Sequence, residues 1–483
     1  MIGYLDTDDY EKIRILYYLE NHRLTNVMYE DISEDLNLTL YQVKKNLIEI
    51  KDEIEQWGMN DYYQVSTFHK KSYVKYARKT QSNIIVLVNE YAKRATMQLL
   101  VQAVLTESTK NMFDLEEALF VSRATTYKLI KKFTELSNNY DLRITKATRF
   151  EGDEWNIREF VYHFYNSLYG SLSYPFSDEV MGELSSLLEG LLRIPNLLSS
   201  NFSSQDKNKL LYRLFVIYIR NYFHHYTKAQ PFMRVDSVIT DQIKEVLATK
   251  LEGTPQEILE EAYELQYFMV SEQLIDTIDL PKLEIVDVFG DTLLQVVESE
   301  LPKFFEDLNT ESVKEHLRQI HTRLIVSKRT NFDTALYHDF SYIDENYQIV
   351  QDMSYAFVQK LMTIEGYEAL VEEKYEALVR EYVFLLINRI PIDKLSPRLK
   401  LSIDFSYGQG YNNYILKNIQ SLTNLNLDIR IGKSELPTDV YLSNSPDKNN
   451  DGVQIIWSSP PSAYDWEFLG NTLIQVRKSR GNG

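Results

Sequence analysis

The sequence predicts a mainly α-helical chain: an N-terminal helix-turn-helix domain, a winged helix-turn-helix domain, two all-helical bundles and a small C-terminal α/β domain. Three observations carry this. Residues 113–133, FDLEEALFVSRATTYKLIKKF, read as a short helix, an apolar turn and a second amphipathic helix. From Trp155 to about residue 394 the chain is rich in tyrosine and leucine, and its long helical periodicity is interrupted chiefly at proline and glycine. From Leu399 short β-branched runs alternate with one helical run, the signature of an α/β layer. A chain of 483 residues exceeds what one core organises, and the expected units are 1–65, 66–158, 159–285, 286–396 and 397–483.

In the first unit, residues 10–21 have helical spacing, residues 29–36 form a short acidic helix, and Asn37-Leu38 makes a turn. Thr39 suits the N-cap of a helix that runs to Trp57, with Val43, Leu47, Ile50 and Ile54 on one face and Gly58 as its stop. Residues 62–65 have the character of a wing strand. The exposed start of the long helix offers Thr39, Tyr41, Gln42, Lys44 and Lys45 as DNA contacts; a structural or dimerising helix is the alternative. A basic run follows, Lys70, Lys71, Lys75, Arg78 and Lys79 with Tyr73 and Tyr76 between, suited to phosphates or simply to solvent. Residues 83–105 read as one apolar helix backing the second unit.

There, Asp114 is the expected cap of the short helix, with Glu116 and Glu117 in its first turn and Leu115, Ala118 and Leu119 facing inward. Phe120-Val121 forms the turn and Ser122 caps the second helix, whose Thr126, Leu129, Ile130 and Phe133 point one way. The opposite face carries Arg123, Thr125, Lys128, Lys131 and Lys132 beside Ser122. Helical N-termini of this kind read base edges, and later lysines meet phosphates. Residues 142–152 alternate like a two-stranded wing bearing Arg143, Lys146 and Arg149. The alternative is an amphipathic hairpin with a solvated basic face.

The net charge of −18 opposes a nucleic-acid partner until its distribution is considered. Residues 66–149 hold 15 Lys and Arg against 7 Asp and Glu, a balance of +8; residues 159–483 hold 30 against 46, a balance of −16. A basic head on an acidic regulatory body is the natural inference. No apolar run approaches the roughly 18 residues of a membrane span, and the acidic start is not that of a signal peptide. The lack of cysteine excludes disulfides, thiolate metal sites and cysteine catalysis, and fits a reducing cytoplasm. Gly408 and Gly410 lack the lysine of a phosphate-binding loop, so nucleotide binding is not expected there, and no motif calls for a metal or other cofactor.

The bundles are broken near Tyr174-Pro175, Pro195-Asn196, Pro231, Gly253-Thr254-Pro255, Pro281, Gly290, Pro391 and Pro397. The tail reads strand (399–405), loop, helix to about Leu422, then three strands. With this order of parts, and with VSRATTYKLIKKF and RFEGDEWNIREF, the chain resembles the Mga/AtxA family of virulence regulators from low-GC Gram-positive bacteria, most nearly its enterococcal members. The resemblance implies a DNA-binding global transcription regulator that assembles as a homodimer or higher homo-oligomer. It also implies that the bundles are PRD-like domains, named for regulation by the sugar phosphotransferase system (PTS), and that the tail is EIIB-like. The implied partners are double-stranded DNA and the phosphocarrier protein of that system, with His224, His225, His316 and His321 as phosphorylation candidates near Arg220, Arg318 or Arg323. One departure matters. EIIB enzymes carry phosphate on a cysteine after the first strand, where this chain has Ser406-Tyr407-Gly408, and an unactivated hydroxyl is a far poorer nucleophile. A binding or dimerising tail without catalysis is therefore expected. An RNA-binding antiterminator shares such bundles, but recognition helices fit the major groove of DNA and not that of RNA. A DNA-independent sensor scaffold is the other alternative.

Overall fold

A computed structural model describes the chain except residues 1–3, 23–24, 69–71, 80–81, 170–173, 196–201, 273, 275–283, 301, 306–308, 327–346, 390–397, 423–425, 433–436, 458–459 and 482–483. Lys70, Lys71, Asn196, Pro281, Pro391 and Pro397 lie outside the described residues. The chain divides into two compact units, Met1–Leu283 with His321–Tyr337, and Glu284–Ile320 with His338–Gly483. The described part is mainly helical, and no described helix is long and apolar enough to cross a membrane.

The first unit opens on a complete winged helix: α1 (Thr7–Asn21), β1 (Val27–Met28), α2 (Tyr29–Asp35), α3 (Leu40–Gln56), β2 (Tyr63–Phe68) and β3 (Tyr73–Arg78). Asn37 takes the left-handed turn at φ 53°, and Thr39 and Gln42 close a reciprocal capping box at the start of α3. Val43, Leu47, Ile50 and Ile54 are buried as their spacing requires, and Gly58 ends the helix at φ 68°. The three strands are ordered β1-β3-β2, all antiparallel, with Tyr63 opposite Arg78 and Phe68 opposite Tyr73. The expected boundary after residue 65 thus falls inside β2. Local pattern stops there because a strand's partner is set by long-range register. Of the basic run at 70–79, Lys75 and Arg78 lie in β3 of this first hairpin. Without the run's five lysines and arginines, residues 82–149 keep 10 Lys and Arg against 7 Asp and Glu, so the second reader is less basic than the chain's charge distribution implied.

The second winged helix follows. The single helix expected over 83–105 is two, α4 (Ile84–Arg94) and α5 (Thr96–Leu105), parted by Ala95 in an extended conformation. The carboxylate of Asp6 accepts from the amide and hydroxyl of Thr96 at 3.1 Å each, capping the second piece from 90 residues away. Then come α6 (Met112–Leu119), α7 (Arg123–Leu136), β4 (Arg143–Ile144) and β5 (Phe150–Glu151). The cap of α6 is Asn111, whose side chain accepts from the amides of Phe113 and Asp114; Asp114, the expected cap, sits in the first turn and accepts from the amide of Lys110.

α8 (Glu154–Tyr169) begins before the expected boundary at 158 and joins the head to the first bundle. Its Phe160 packs edge-on against Phe133 of α7, ring centroids 5.2 Å apart, within one apolar core that runs from the head into the bundle. The bundle continues as α9 (Asp178–Leu192), α10 (Ser204–Tyr222), α11 (Val238–Leu247) and α12 (Pro255–Ser271). At its centre Arg158 and Arg213 are fully buried. Arg158 meets Glu261 at 2.5 Å and Glu154 at 2.9 Å, and Arg213 meets Glu159 and Glu264 at 2.7 Å each. Burial alone would lower the Arg158 pKa, but Glu261, Glu264 and Glu154 push it well above its ordinary value. Deleting one member of such a set leaves a buried charge unmatched, at a cost of roughly 3–5 kcal/mol.

The second unit holds α13 (Glu284–Glu300), most of α14 (Thr310–His321), α15 (Gln348–Leu361) and α16 (Glu368–Arg389). Its α/β part has β6 (Leu399–Asp404), α17 (Gln409–Leu422), β7 (Leu427–Ile431), β8 (Val440–Ser443), β9 (Val453–Ile456) and α18 (Ala463–Gly481). The strands are ordered β7-β6-β8-β9 and every described pairing is parallel. Leu401, Ile403, Leu442 and Ile455 form its core together with Trp457, which packs edge-on against Trp466 at 4.9 Å.

Candidate nucleic-acid interface

Ser122 places α7. Its hydroxyl accepts from the amide of Thr125, and the two side-chain oxygens lie 2.9 Å apart. Thr126 and Phe133 are buried, with Leu129 and Ile130 packed against the core, so the opposite face is fixed outward. On it stand Arg123, whose side chain is 72% exposed, Thr125, Lys128, and Lys131, 80% exposed. Arg123 lies 3.8 Å from Glu116 and Lys131 3.6 Å from Glu135; exposed pairs of this kind contribute little and are readily exchanged for phosphate. Tyr127, also exposed, stands one turn from both Arg123 and Lys131. Sequence reasoning passed over it, although its helical spacing assigns it to this face. Lys132 does not join them: it is half-buried and donates to the carbonyl of Leu5 at 3.2 Å.

The turn before α7 is held by Phe120 at φ 53°, a position usually given to glycine, and its ring is 92% exposed. In the wing, Arg143 and Lys146 are exposed. Arg149 is used differently. Its Nε meets Glu107 at 2.8 Å and its Nη1 donates to the carbonyl of Thr109 at 2.7 Å, so it fastens the wing to the loop after α5. Buried Thr148 adds a second tie, donating to the same carbonyl at 2.8 Å.

On α3 more of the expected contacts are engaged. Gln42 accepts from the amide of Thr39 at 2.9 Å and donates to Glu11 at 3.0 Å, which commits it to the cap and to α1. Lys44 lies over the ring of Tyr29, 6.0 Å from its centroid, and Lys45 is 3.7 Å from Glu49 and 3.9 Å from Asp8. Tyr41 projects fully, 77% exposed. In the adjoining hairpin, Lys75 is exposed, whereas Arg78 is paired with Glu20 at 2.8 Å.

The four histidines differ in access. His224 is exposed at φ 59° and His225 is partly exposed, both just past the end of α10; His316 is half-buried and His321 fully buried. The nearby arginines have partners already, Arg220 with Glu154 at 2.7 Å and Arg318 with Asp287 at 3.1 Å. In the tail, the Ser406 amide donates to the side chain of Asn444 at 2.9 Å, and the Ser406 hydroxyl accepts from it at 2.8 Å. Of the tail's aromatic residues Trp457, Tyr464 and Trp466, Trp457 is core and Tyr464 is the one that is strongly exposed.

A capped short helix, a left-handed turn, and a second helix held by its apolar face with cations and hydroxyls outward define a helix-turn-helix protein of the DNA-binding class. Residues 79–165 match the family model described as the Mga helix-turn-helix domain, so this segment is similar to the DNA-binding domain of that family of transcription regulators. The matched segment spans α4 to α8 and so takes in the second reader, its wing and the start of the helix that ties it to the bundle. No curated protein matches the chain.

Proposed function

We propose that the protein is a global transcription regulator that binds promoter DNA mainly through α7 and its wing, with α3 as a weaker second contact. The supporting observation is the outward face of α7, where Arg123, Thr125, Tyr127, Lys128 and Lys131 share one exposed surface above a buried apolar face. It works in the cytoplasm as a homodimer or higher homo-oligomer, since two linked heads raise the effective concentration at adjacent sites. The bundles act as PRD-like domains whose accessible histidines, His224 and His225 above all, take phosphate from the phosphocarrier protein of the PTS. The tail is EIIB-like and assembles the oligomer without catalysis.

A gel-shift series across salt concentrations tests the DNA reading. Affinity should fall steeply as salt rises, and a protein that binds no duplex even at low salt would instead be a sensor scaffold. Deleting residues 397–483 should move the protein toward monomer in sedimentation and weaken promoter binding. An unchanged oligomer would place the interface elsewhere, and transfer of phosphate onto Ser406 would restore catalysis to the tail.

A further inference from the structure

The wing and the first bundle meet on one carboxylate. Glu107, in the loop after α5, adopts φ 47°, which a side chain seldom does without a compensating role. Its Oε2 lies 2.8 Å from Nε of Arg149, and its Oε1 lies 2.6 Å from Nε2 of His225. On the wing side, Arg149 also donates to the carbonyls of Thr109 and Thr148. On the bundle side, the carbonyl of His225 accepts from buried Arg158 at 3.0 Å, and Arg158 holds Glu261 and Glu264. A continuous polar line thus runs from the wing into the charged centre of the bundle. Glu107 joins its two halves: His225 is 118 residues away in sequence and Arg149 is 42 residues beyond Glu107.

We propose that Glu107 is a positioning residue that couples the wing to the bundle, so that the state of His225 sets how firmly the wing is held for DNA. The proposal rests on reading α7 and its wing as the DNA interface. With Nε2 of His225 donating, the carboxylate is satisfied on both oxygens and the loop is held from two sides. Losing that donor leaves Glu107 fastened to the wing alone. An anionic group at the same position faces the carboxylate directly and drives the loop, and Arg149 with it, away from the bundle. The side chain of His225 is 38% exposed, enough for its state to change in the folded protein.

The test uses the full-length protein with two readouts, hydrogen exchange of residues 143–151 and affinity for a mixed-sequence DNA duplex at low salt. H225A and E107Q should each speed wing exchange and weaken binding by about three- to tenfold, and together do no more than E107Q alone, as expected of groups sharing one interaction. H225E should exceed H225A. H225Q, which keeps a donor nitrogen, should stay near wild type. If H225A and H225E leave the wing as in wild type, the coupling is absent, whatever E107Q does. Wild-type protein that fails to bind the duplex overturns the DNA reading alone, because exchange at 143–151 still reports the coupling.

Discussion

The two winged helices show how far one motif differs according to what its recognition helix has left to offer. In the first, much of the start of α3 is engaged within the domain: Gln42 in the cap and on Glu11, Lys45 near two carboxylates, Lys44 over Tyr29. In the second, the start of α7 presents Arg123, Thr125, Tyr127 and Lys128 outward, and the side chains that fasten the domain, Lys132 and Arg149, lie off that face. Their wings invert the pattern. The first is a regular hairpin of six-residue strands, whereas the second has two-residue strands and depends on Thr148 and Arg149 for its attachment. A long, self-supporting wing beside a partly engaged helix suits backbone contact; a short, fastened wing beside an open helix suits base reading.

The largest effect that separates them is on affinity. Changing Arg123 and Lys128 together to alanine should cost on the order of 1–3 kcal/mol for each base or phosphate interaction removed, a hundredfold or so in the dissociation constant, with circular dichroism unchanged. Tyr41 and Lys45 changed together should cost only a few-fold. Removing Lys128 and Lys131 should also flatten the slope of log affinity against log salt by roughly 0.9 for each phosphate that is no longer neutralised. Equal effects from both domains, or a larger one from the first, would break the contrast.

What the sequence could disclose follows the same division. The turn, the Ser122 and Thr39 caps and the buried faces of α3 and α7 were legible because their causes lie within four residues of one another. The break at Ala95 depends on Asp6, 90 residues before Thr96, and the β2–β3 pairing on register across a turn, so neither is written in local periodicity. Arg149 and Lys132 read as surface cations by spacing; only the packed structure shows what they hold. The same is true of the charged centre of the bundle, where Arg158 and Arg213 occupy positions that helical pattern alone assigns to either solvent or core. Residue type marked the candidate surface on α7 and its wing, but partners decided which of those side chains remain available.

A second distinction lies in acid sensitivity. The first domain is joined to α4 by an ion cluster: Lys12 to Glu53 at 2.8 Å, Arg94 to Asp9 at 2.5 Å and to Glu53 at 2.8 Å. Burial would raise the Glu53 carboxyl, but hydrogen bonds from Lys12, Tyr91 and Arg94 outweigh it and hold the pKa below its ordinary value. A depressed carboxylate contributes stability that is present above its unfolded value, about 4.3, and is lost as pH falls through the folded one. Trp57, which packs edge-on against Tyr91 at 5.0 Å, should therefore report loosening of this junction below about pH 4. Glu53→Gln should flatten that dependence. A Trp57 signal equally acid-sensitive in the variant would remove Glu53 from the account.

The smallest expected difference concerns the caps themselves. Both helices begin on a hydroxyl, so replacing either with alanine should cost about 1 kcal/mol of stability. Thr39 carries more: its hydroxyl accepts from the Gln42 amide and donates to the Gln42 side chain, which in turn accepts from the Thr39 amide. Thr39→Ala frees Gln42 from part of that arrangement and weakens its bridge to Glu11, so its cost should reach the upper part of the usual range, about 2 kcal/mol. Ser122 makes one amide contact with Thr125 at 3.3 Å, and Ser122→Ala should stay near the lower end, about 0.5–1 kcal/mol. Binding should rank the two the other way. Ser122 sets the first turn of the helix with the open face, so its replacement should weaken DNA affinity more than that of Thr39, despite the smaller change in melting. If stability and affinity fall in the same order for both variants, the two helices are equivalent readers and the contrast between the domains fails.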